Sequence, residues 1–286
     1  MKKILAAILA LVLVIGVFAG CTAEKEENNV EEVAYNLEAA YGAVTFTATE
    51  LSDDDINYIK DKGTLVVGIT DFEPMDYKDA NGNWIGFDAD MATAFAKWLG
   101  VEVQFVEIDW DNKILELDGK SIDCVWNGMT LTDEVKSAMA TSNAYCNNAQ
   151  VVIVNSDIAA DYQTAEACKD LSFAVEAGSA GAAVAEENGF NVTEVKDQAT
   201  TLMEVSAGTC DAAIIDKLMA AAMVGEGTSY EKLTYTVDLN SEEYGVGFRK
   251  DSAMADALND FFAQANANGF TQVVAEQYGV QAAIIK

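Results

Sequence analysis

Residues Gly63–Gly100 read GTLVVGITDFEPMDYKDANGNWIGFDADMATAFAKWLG. Thr64–Thr70 is a short β-branched apolar run, the composition of a buried strand. Gly86–Leu99 places Phe87, Met91, Phe95 and Leu99 at helical spacing, and Gly100 supplies a stop. Between them lies a polar turn, Asp71–Tyr77, holding the single proline of the chain, Pro74. A strand, a turn and a helix in this order open a β-α-β unit.

The same alternation continues outward. Upstream, Leu51-Ser52-Asp53 offers an N-cap for a short helix ending near Gly63. Downstream, strands are expected near Val101–Ile108, Ile122–Trp126 and Ala149–Val154. A second set follows: a strand at Leu171–Val175, a helix at Ser179–Asn188, a strand at Val192–Val195, a helix around Thr200–Ala207 and a strand at Asp211–Ile215. Strands near Leu233–Leu239 and Tyr244–Arg249, a helix at Met254–Asn268 and a shorter one near Thr271–Gln277 complete the chain. Such alternation means an α/β fold of mostly parallel sheets with helices on both faces. Two β-α-β runs of about 90 residues each favour two domains over one. Ligand clefts in such folds lie at the carboxyl ends of strands or between domains.

The N-terminus has a different character. Met-Lys-Lys precedes an apolar run from Ile4 to Val14 and a small-residue stretch ending Phe18-Ala19-Gly20-Cys21. A basic start and a short apolar run describe an export signal over residues 1–20, too short for a membrane span of ~20 residues with proper flanks. The segment around Cys21 resembles the lipobox of bacterial lipoproteins, which implies lipidation of Cys21 and a chain anchored to the outside of the cytoplasmic membrane. Residues 21–50 are acidic and weakly periodic, and read as a tether.

The chain carries 17 basic and 47 acidic residues, a net charge of −30, and loss of Lys2 and Lys3 with the signal leaves 15 against 47. That field repels phosphate backbones and anionic lipid, so nucleic acid is excluded as a partner. Its plain meaning is solubility. With no histidine and no C-x-x-C pair, neither a structural zinc site nor a histidine base is expected, and no cofactor is implied. After Cys21 there remain Cys124, Cys146, Cys168 and Cys210, all in or beside apolar segments; free thiols and bridges are both open.

Four polar turns end strands: Asp71–Tyr77, Asn127–Val135, Glu176–Gly181 and Asp216. The stretches around them, GTLVVGITDFEPMDYKDANGNWIGFDADMATAFAKWLG, IDCVWNGMTLTDE, NNAQVVIV, AVEAGSAG, LMEVSAGTCDAAIID and YGVGFRKDS, resemble in register the polar amino-acid-binding family of ABC-transporter substrate-binding lipoproteins. The resemblance runs over roughly residues 60–280. It implies a two-lobed, type II periplasmic-binding-protein-like fold with a two-strand hinge. Lobe 1 would comprise 51–154 plus 243–286, and lobe 2 would comprise 155–242. It further implies a monomeric, non-catalytic protein that closes on a small polar solute and delivers it to an ABC permease.

Carried over by position, Phe72 matches the aromatic that covers the ligand, and Trp110 a further wall residue. Asn127, Gly128 and Thr130 match small polar residues that hydrogen-bond the ligand, with Met129 beside them. Ser179 matches the hydroxyl at a helix start that receives the α-carboxylate, and Asp216 the carboxylate that pairs with the α-ammonium. Each has a plainer role: Phe72 and Trp110 as core, Thr130 and Ser179 as helix caps. Asp216 follows Ala-Ala-Ile-Ile, so it is expected to be buried and to need a cation or several donors.

One position departs from the family. The arginine that usually clamps the ligand carboxylate is replaced by Val135, and the only arginine, Arg249, falls on a strand leading away from it. Two readings follow. Backbone N–H groups at helix starts near Thr130 and Ser179 hold the carboxylate, or the ligand has no free α-carboxylate and is an amide, an amine or a small peptide. Two further roles for the same fold are an exported dehydratase, which would draw its acid or base from Asp71, Glu73, Asp109 or Asp216, and a sensor. The identity of the solute, the thiol state and the choice between transport and sensing are not legible.

Overall fold

A computed structural model describes residues 35–47 and 51–285. The export signal and the lipidation site Cys21 lie outside these residues. Among the described residues no helix is long and apolar enough to cross a membrane.

Helices α1 (Leu37–Gly42) and α2 (Asp54–Lys62) lead into strand β1 (Thr64–Ile69), a small hairpin of β2 (Tyr77–Lys78) and β3 (Trp84–Ile85), and helix α3 (Phe87–Leu99). Then come β4 (Glu102–Glu107), α4 (Lys113–Asp118) after a single 3-10 turn at Trp110–Asn112, β5 (Cys124–Thr130), α5 (Asp133–Ala138), β6 (Ala140–Thr141) and β7 (Cys146–Asn148). Asp53 caps α2 by accepting from the Ile56 N–H at 2.7 Å, and Gly63 ends that helix at φ 76°, as the sequence suggested. The first sheet has the order β4-β1-β5, followed by β13 (Glu242–Phe248) and β6, with β7 also on β13. β4, β1 and β5 are parallel, joined through α3 and α4, whereas β13 runs antiparallel to β5.

The second sheet is built from β8 (Gln150–Asn155), β9 (Ser172–Glu176), α6 (Ala180–Asn188), β10 (Asn191–Val195), α7 (Gln198–Ala207), β11 (Ala212–Asp216), α8 (Lys217–Met223) and β12 (Leu233–Asp238). Its order is β10-β9-β11-β8-β12, parallel over the first three and antiparallel at β8 and β12. Helices α9 (Met254–Asn268) and α10 (Phe270–Gln277) return to the first lobe, α9 against β13 and α10 against α3. The two lobes are joined by β7–β8 and β12–β13, which run side by side: Asn148 pairs with Glu242 and Cys146 with Tyr244.

Side chains alternate across the strands as a two-sided burial requires. Val151 and Ile153 of β8 face one apolar cluster, while Val152 and Val154 face the other. β5 divides likewise, with Cys124 and Trp126 on one side and Val125 and Met129 on the other. All four described cysteines are buried free thiols.

Three expectations need correcting. β8 pairs with β11 and β12, so the chain has entered the second sheet by Gln150 and not at Asn155. The supposed turn Asn127-Gly128-Met129-Thr130 is strand: β5 runs through Thr130 because β13 pairs with it at Met129 and Thr130, around an irregularity at Gly128, φ 54°. From Tyr35 to Thr47 the expected tether is bound to the domain. Phe46 stacks on Tyr41 at 4.8 Å and on Phe261 at 5.2 Å, and the Tyr35 hydroxyl donates to Asp90 at 2.7 Å. The acidic composition conceals a short apolar set, Leu37, Tyr41, Val44 and Phe46, that packs on the core.

Candidate functional site

The ends of β5, β9 and β11 point into one cavity of about 310 Å³ between the lobes, at the small end of ligand pockets, which run ~300–1,000 Å³. From the first lobe come Trp110, Lys113 and Ile114, Asn127–Thr130, and Thr132–Val135. From the second come Glu176, Gly178, Ser179, Ala180, Ala183, Glu187, Gln198 and Asp216. Of the residues picked from sequence, Trp110, Asn127, Gly128, Met129, Thr130, Val135, Ser179 and Asp216 therefore share this cavity. Phe72 does not line it: it is buried beneath, edge-on to Tyr244 at 6.4 Å, with its ring against Gly128 so closely that a Cβ there would lie 2.5 Å away.

Several of these side chains are already committed to the fold. Asn127 accepts from the Thr70 N–H and hydroxyl at 3.0 and 2.7 Å, and donates to the Thr70 carbonyl and Asp76 at 3.1 and 2.7 Å. The Thr130 hydroxyl donates to Glu242 at 3.0 Å. Ser179 accepts from the Ala182 N–H at 3.1 Å and caps α6, while Thr132 does the same for α5 through Val135. What Asn127 and Gly128 offer a ligand is position, and two buried acids behind β5 fix it. Asp88 accepts from the Gly128 N–H and the Tyr145 hydroxyl, each at 2.7 Å. Burial pushes Asp88 up to about 7, against the pull of those hydrogen bonds. Asp76 is raised well above its usual range by burial and by Asp88.

Asp216 closes the inner end. Its Oδ1 accepts from Asn148, from the Tyr244 hydroxyl and, at 3.1 Å, from Gln150, whereas its Oδ2 accepts from Gln198 alone. The expected need for several donors is met by these neutral groups. Burial and the charge of Glu242 push Asp216 up to about 7, although hydrogen bonds from Tyr244, Gln198 and Gln150 pull it down.

Two charged residues of the cavity were not singled out from sequence. Lys113 opens α4 and is 9% exposed; its ammonium donates to the carbonyls of Trp110 and Gly178 at 3.2 and 2.9 Å. Burial lowers its pKa, opposed by Glu176, Glu134 and Asp111. Glu176 ends β9, is 2% exposed and has one carboxylate oxygen buried with no partner. Burial, then Asp216 and Asp197, push it up to about 8. The signal for Lys113 was Trp110-Asp111-Asn112-Lys113-Ile114, a polar start followed by Ile114 and Leu117 and stopped by Gly119.

The missing arginine is missing in space as well. Val135 sits at the cavity wall in the apolar cluster of Ile108, Trp110, Met129 and Met139. Arg249 is held elsewhere by Asp55 at 2.6 Å, Asp123 at 3.0 Å and the Ile122 carbonyl at 2.8 Å.

The sequence profile of the bacterial extracellular solute-binding proteins, family 3, matches residues 65–281. The chain belongs to that family. Its match with the L-cystine-binding protein TcyJ of Escherichia coli (strain K12) is 29% identical over 228 residues, 78% of this chain and 85% of that protein. Among solved structures, the P235GK mutant of ArgBP from T. maritima is 31% identical with TM-score 0.72, over 79% of this chain and 99% of that one. The ancestral amino acid-binding protein AncCDT-1, a precursor of cyclohexadienyl dehydratase, is 30% identical with TM-score 0.71, over 78% and 98%. Membership carries the type II two-lobed fold and a solute-binding role outside the cytoplasm.

Proposed function

We propose that the protein is the substrate-binding component of an ABC importer and takes a polar amino acid by closure of its two lobes, without catalysis. The observation that carries this reading is the cavity itself. Strand ends from both lobes enclose about 310 Å³ and present a buried carboxylate, Asp216, and a buried ammonium, Lys113, to the same space. A zwitterion complements that pair. Asp216 Oδ2, with Gln198 as its one donor, takes the α-ammonium. Lys113 takes the α-carboxylate in place of the absent arginine; a lysine does this as a point charge and not as a fork. The helix-start donors near Thr130 and Ser179 are partly used by the caps of their own helices.

Closure follows from the same contacts, since a permease distinguishes only the state that ligand stabilises. Lipidation at Cys21 would hold the protein at the outer face of the membrane as a monomer beside its permease.

A ligand lacking the carboxylate is the second reading, favoured by the apolar wall that Val135 forms with Met129. Calorimetric titration with free amino acids and their amides decides between them. Binding of a free acid and loss of binding by its amide supports the zwitterion reading; binding of amides alone overturns it. Turnover of a cyclic dehydratase substrate would overturn the non-catalytic assignment.

A further inference from the structure

The cavity contains one charge more than a simple amino acid can satisfy. Lys113 and Asp216 complement the two ends of a zwitterion, which leaves Glu176. Its side chain is almost fully buried, and one of its oxygens has no hydrogen-bond partner. A carboxylate in that situation is expensive to keep unless a cation meets it. Lys113 acts on it only through space: its hydrogen bonds go to the Trp110 and Gly178 carbonyls, and no ion pair joins it to Glu176.

We infer that the solute is a basic amino acid, with its side-chain cation received by Glu176, its α-ammonium by Asp216 and its α-carboxylate by Lys113. This rests on the reading of the cavity as an amino-acid site.

Charge balance supports it. With Glu176 and Asp216 ionised, the buried charges of the cavity, one ammonium and two carboxylates, sum to −1. A neutral amino acid leaves that charge buried, whereas a monocationic one cancels it. The donor geometry agrees. Two of the three Lys113 N–H donors are taken, which leaves one for a carboxylate, and Asp216 Oδ2 has capacity beyond Gln198. Asp133, Glu134 and Glu187 line the cavity and are exposed, so the approach is acidic as well, and an acidic cleft raises the local concentration of cations. The raised affinity of Glu176 for its proton, which comes first from burial, is what an unmet carboxylate shows.

The test is calorimetry on the purified protein with matched pairs: L-lysine against L-norleucine, which lacks only the ε-ammonium, and L-arginine against L-citrulline. Cadaverine and agmatine, which lack the carboxylate, complete the set. A basic member binding roughly 30-fold or more tighter than its neutral partner is expected for a desolvated charge pair. In Glu176→Gln that ratio falls to about threefold or less, with weaker binding of the basic member. Glu176→Asp, which keeps the charge, keeps the preference.

Equal binding of basic and neutral partners overturns the inference and leaves amino-acid binding intact. Binding of cadaverine or agmatine with no amino acid bound overturns both. An unchanged ratio in Glu176→Gln, with the melting temperature of the variant near that of the parent, removes Glu176 from the role.

Discussion

Lys113 of the first lobe donates a hydrogen bond to the Gly178 carbonyl of the second at 2.9 Å. Beside it the Gly178 Cα lies so near Asp111 that a Cβ would come within 2.6 Å of the Asp111 carboxylate and 2.7 Å of its Cα. The lobes thus meet at a contact that only glycine allows, with φ at 67°.

That contact predicts the effect of Gly178→Ala. The left-handed backbone costs a non-glycine residue ~1–2 kcal/mol whether the lobes are together or apart and so lowers stability. The methyl group, in contrast, collides with Asp111 only when the lobes are together and so opposes closure. Ligand affinity is expected to fall about 10-fold or more, because each ~1.4 kcal/mol is tenfold. Calorimetry reads the affinity, and small-angle scattering with ligand reads a larger radius of gyration than in the parent.

Asp216→Asn removes the carboxylate from the ammonium position while keeping its shape. Loss of one partner of a buried charge pair costs ~2–5 kcal/mol, so amino-acid affinity falls by at least about 30-fold. The unliganded fold remains, because an amide oxygen at the Oδ1 position still accepts from Asn148, Tyr244 and Gln150, and only the Gln198 contact on Oδ2 is lost. Circular dichroism and calorimetry on the same sample check the two statements separately.

The buried acids set a pH dependence. Burial pushes Asp216 and Asp88 up to about 7 and Glu176 up to about 8 in the folded protein, against 3.8 for aspartate and 4.5 for glutamate when unconstrained. In that window the folded chain holds protons that the unfolded chain has released. The stability these groups contribute is therefore full below about pH 4 and is lost as pH rises through about 7 to 8. The melting temperature of the empty protein is expected to drop between pH 5 and 8, and Glu176→Gln flattens the drop. Stabilisation by a cationic ligand changes in the opposite sense and grows with pH, since it needs the ionised carboxylates.

Phe46→Ala tests the N-terminal strap. Phe46 lies between Tyr41 and Phe261 and meets Phe270 edge-on at 5.7 Å. It is half-buried, so its removal is expected to cost about 2 kcal/mol, below the range for fully buried rings. A lower melting temperature with unchanged ligand affinity is the outcome to look for.

What could be read from the chain followed from local signals. The Asp53 and Ser179 caps, the Gly100 stop and the strand–helix alternation depend on neighbours a few residues away, and they held. The strand through Asn127–Thr130 was illegible because its partner, β13, lies more than a hundred residues downstream and forces extended backbone on a turn-like sequence. Helix α4, with six residues, is too short for periodicity to show, and Lys113 was lost with it. Glu176 looked like the first residue of a turn; only the parallel pairing of β9 with β10 makes it the last of a strand. The family resemblance puts Phe72 over the ligand, yet the missing Cβ of Gly128 lets it pack under β5 instead.

The most direct measurement is a thermal-shift screen of the twenty amino acids on the parent protein and on Asp216→Asn side by side. A saturating ligand at 100 times its Kd stabilises the fold by ~2.7 kcal/mol, a shift of a few degrees. The account predicts that at least one free amino acid raises the melting temperature of the parent and that the shift vanishes in the variant. No shift with any amino acid, or an equal shift in Asp216→Asn, would contradict it.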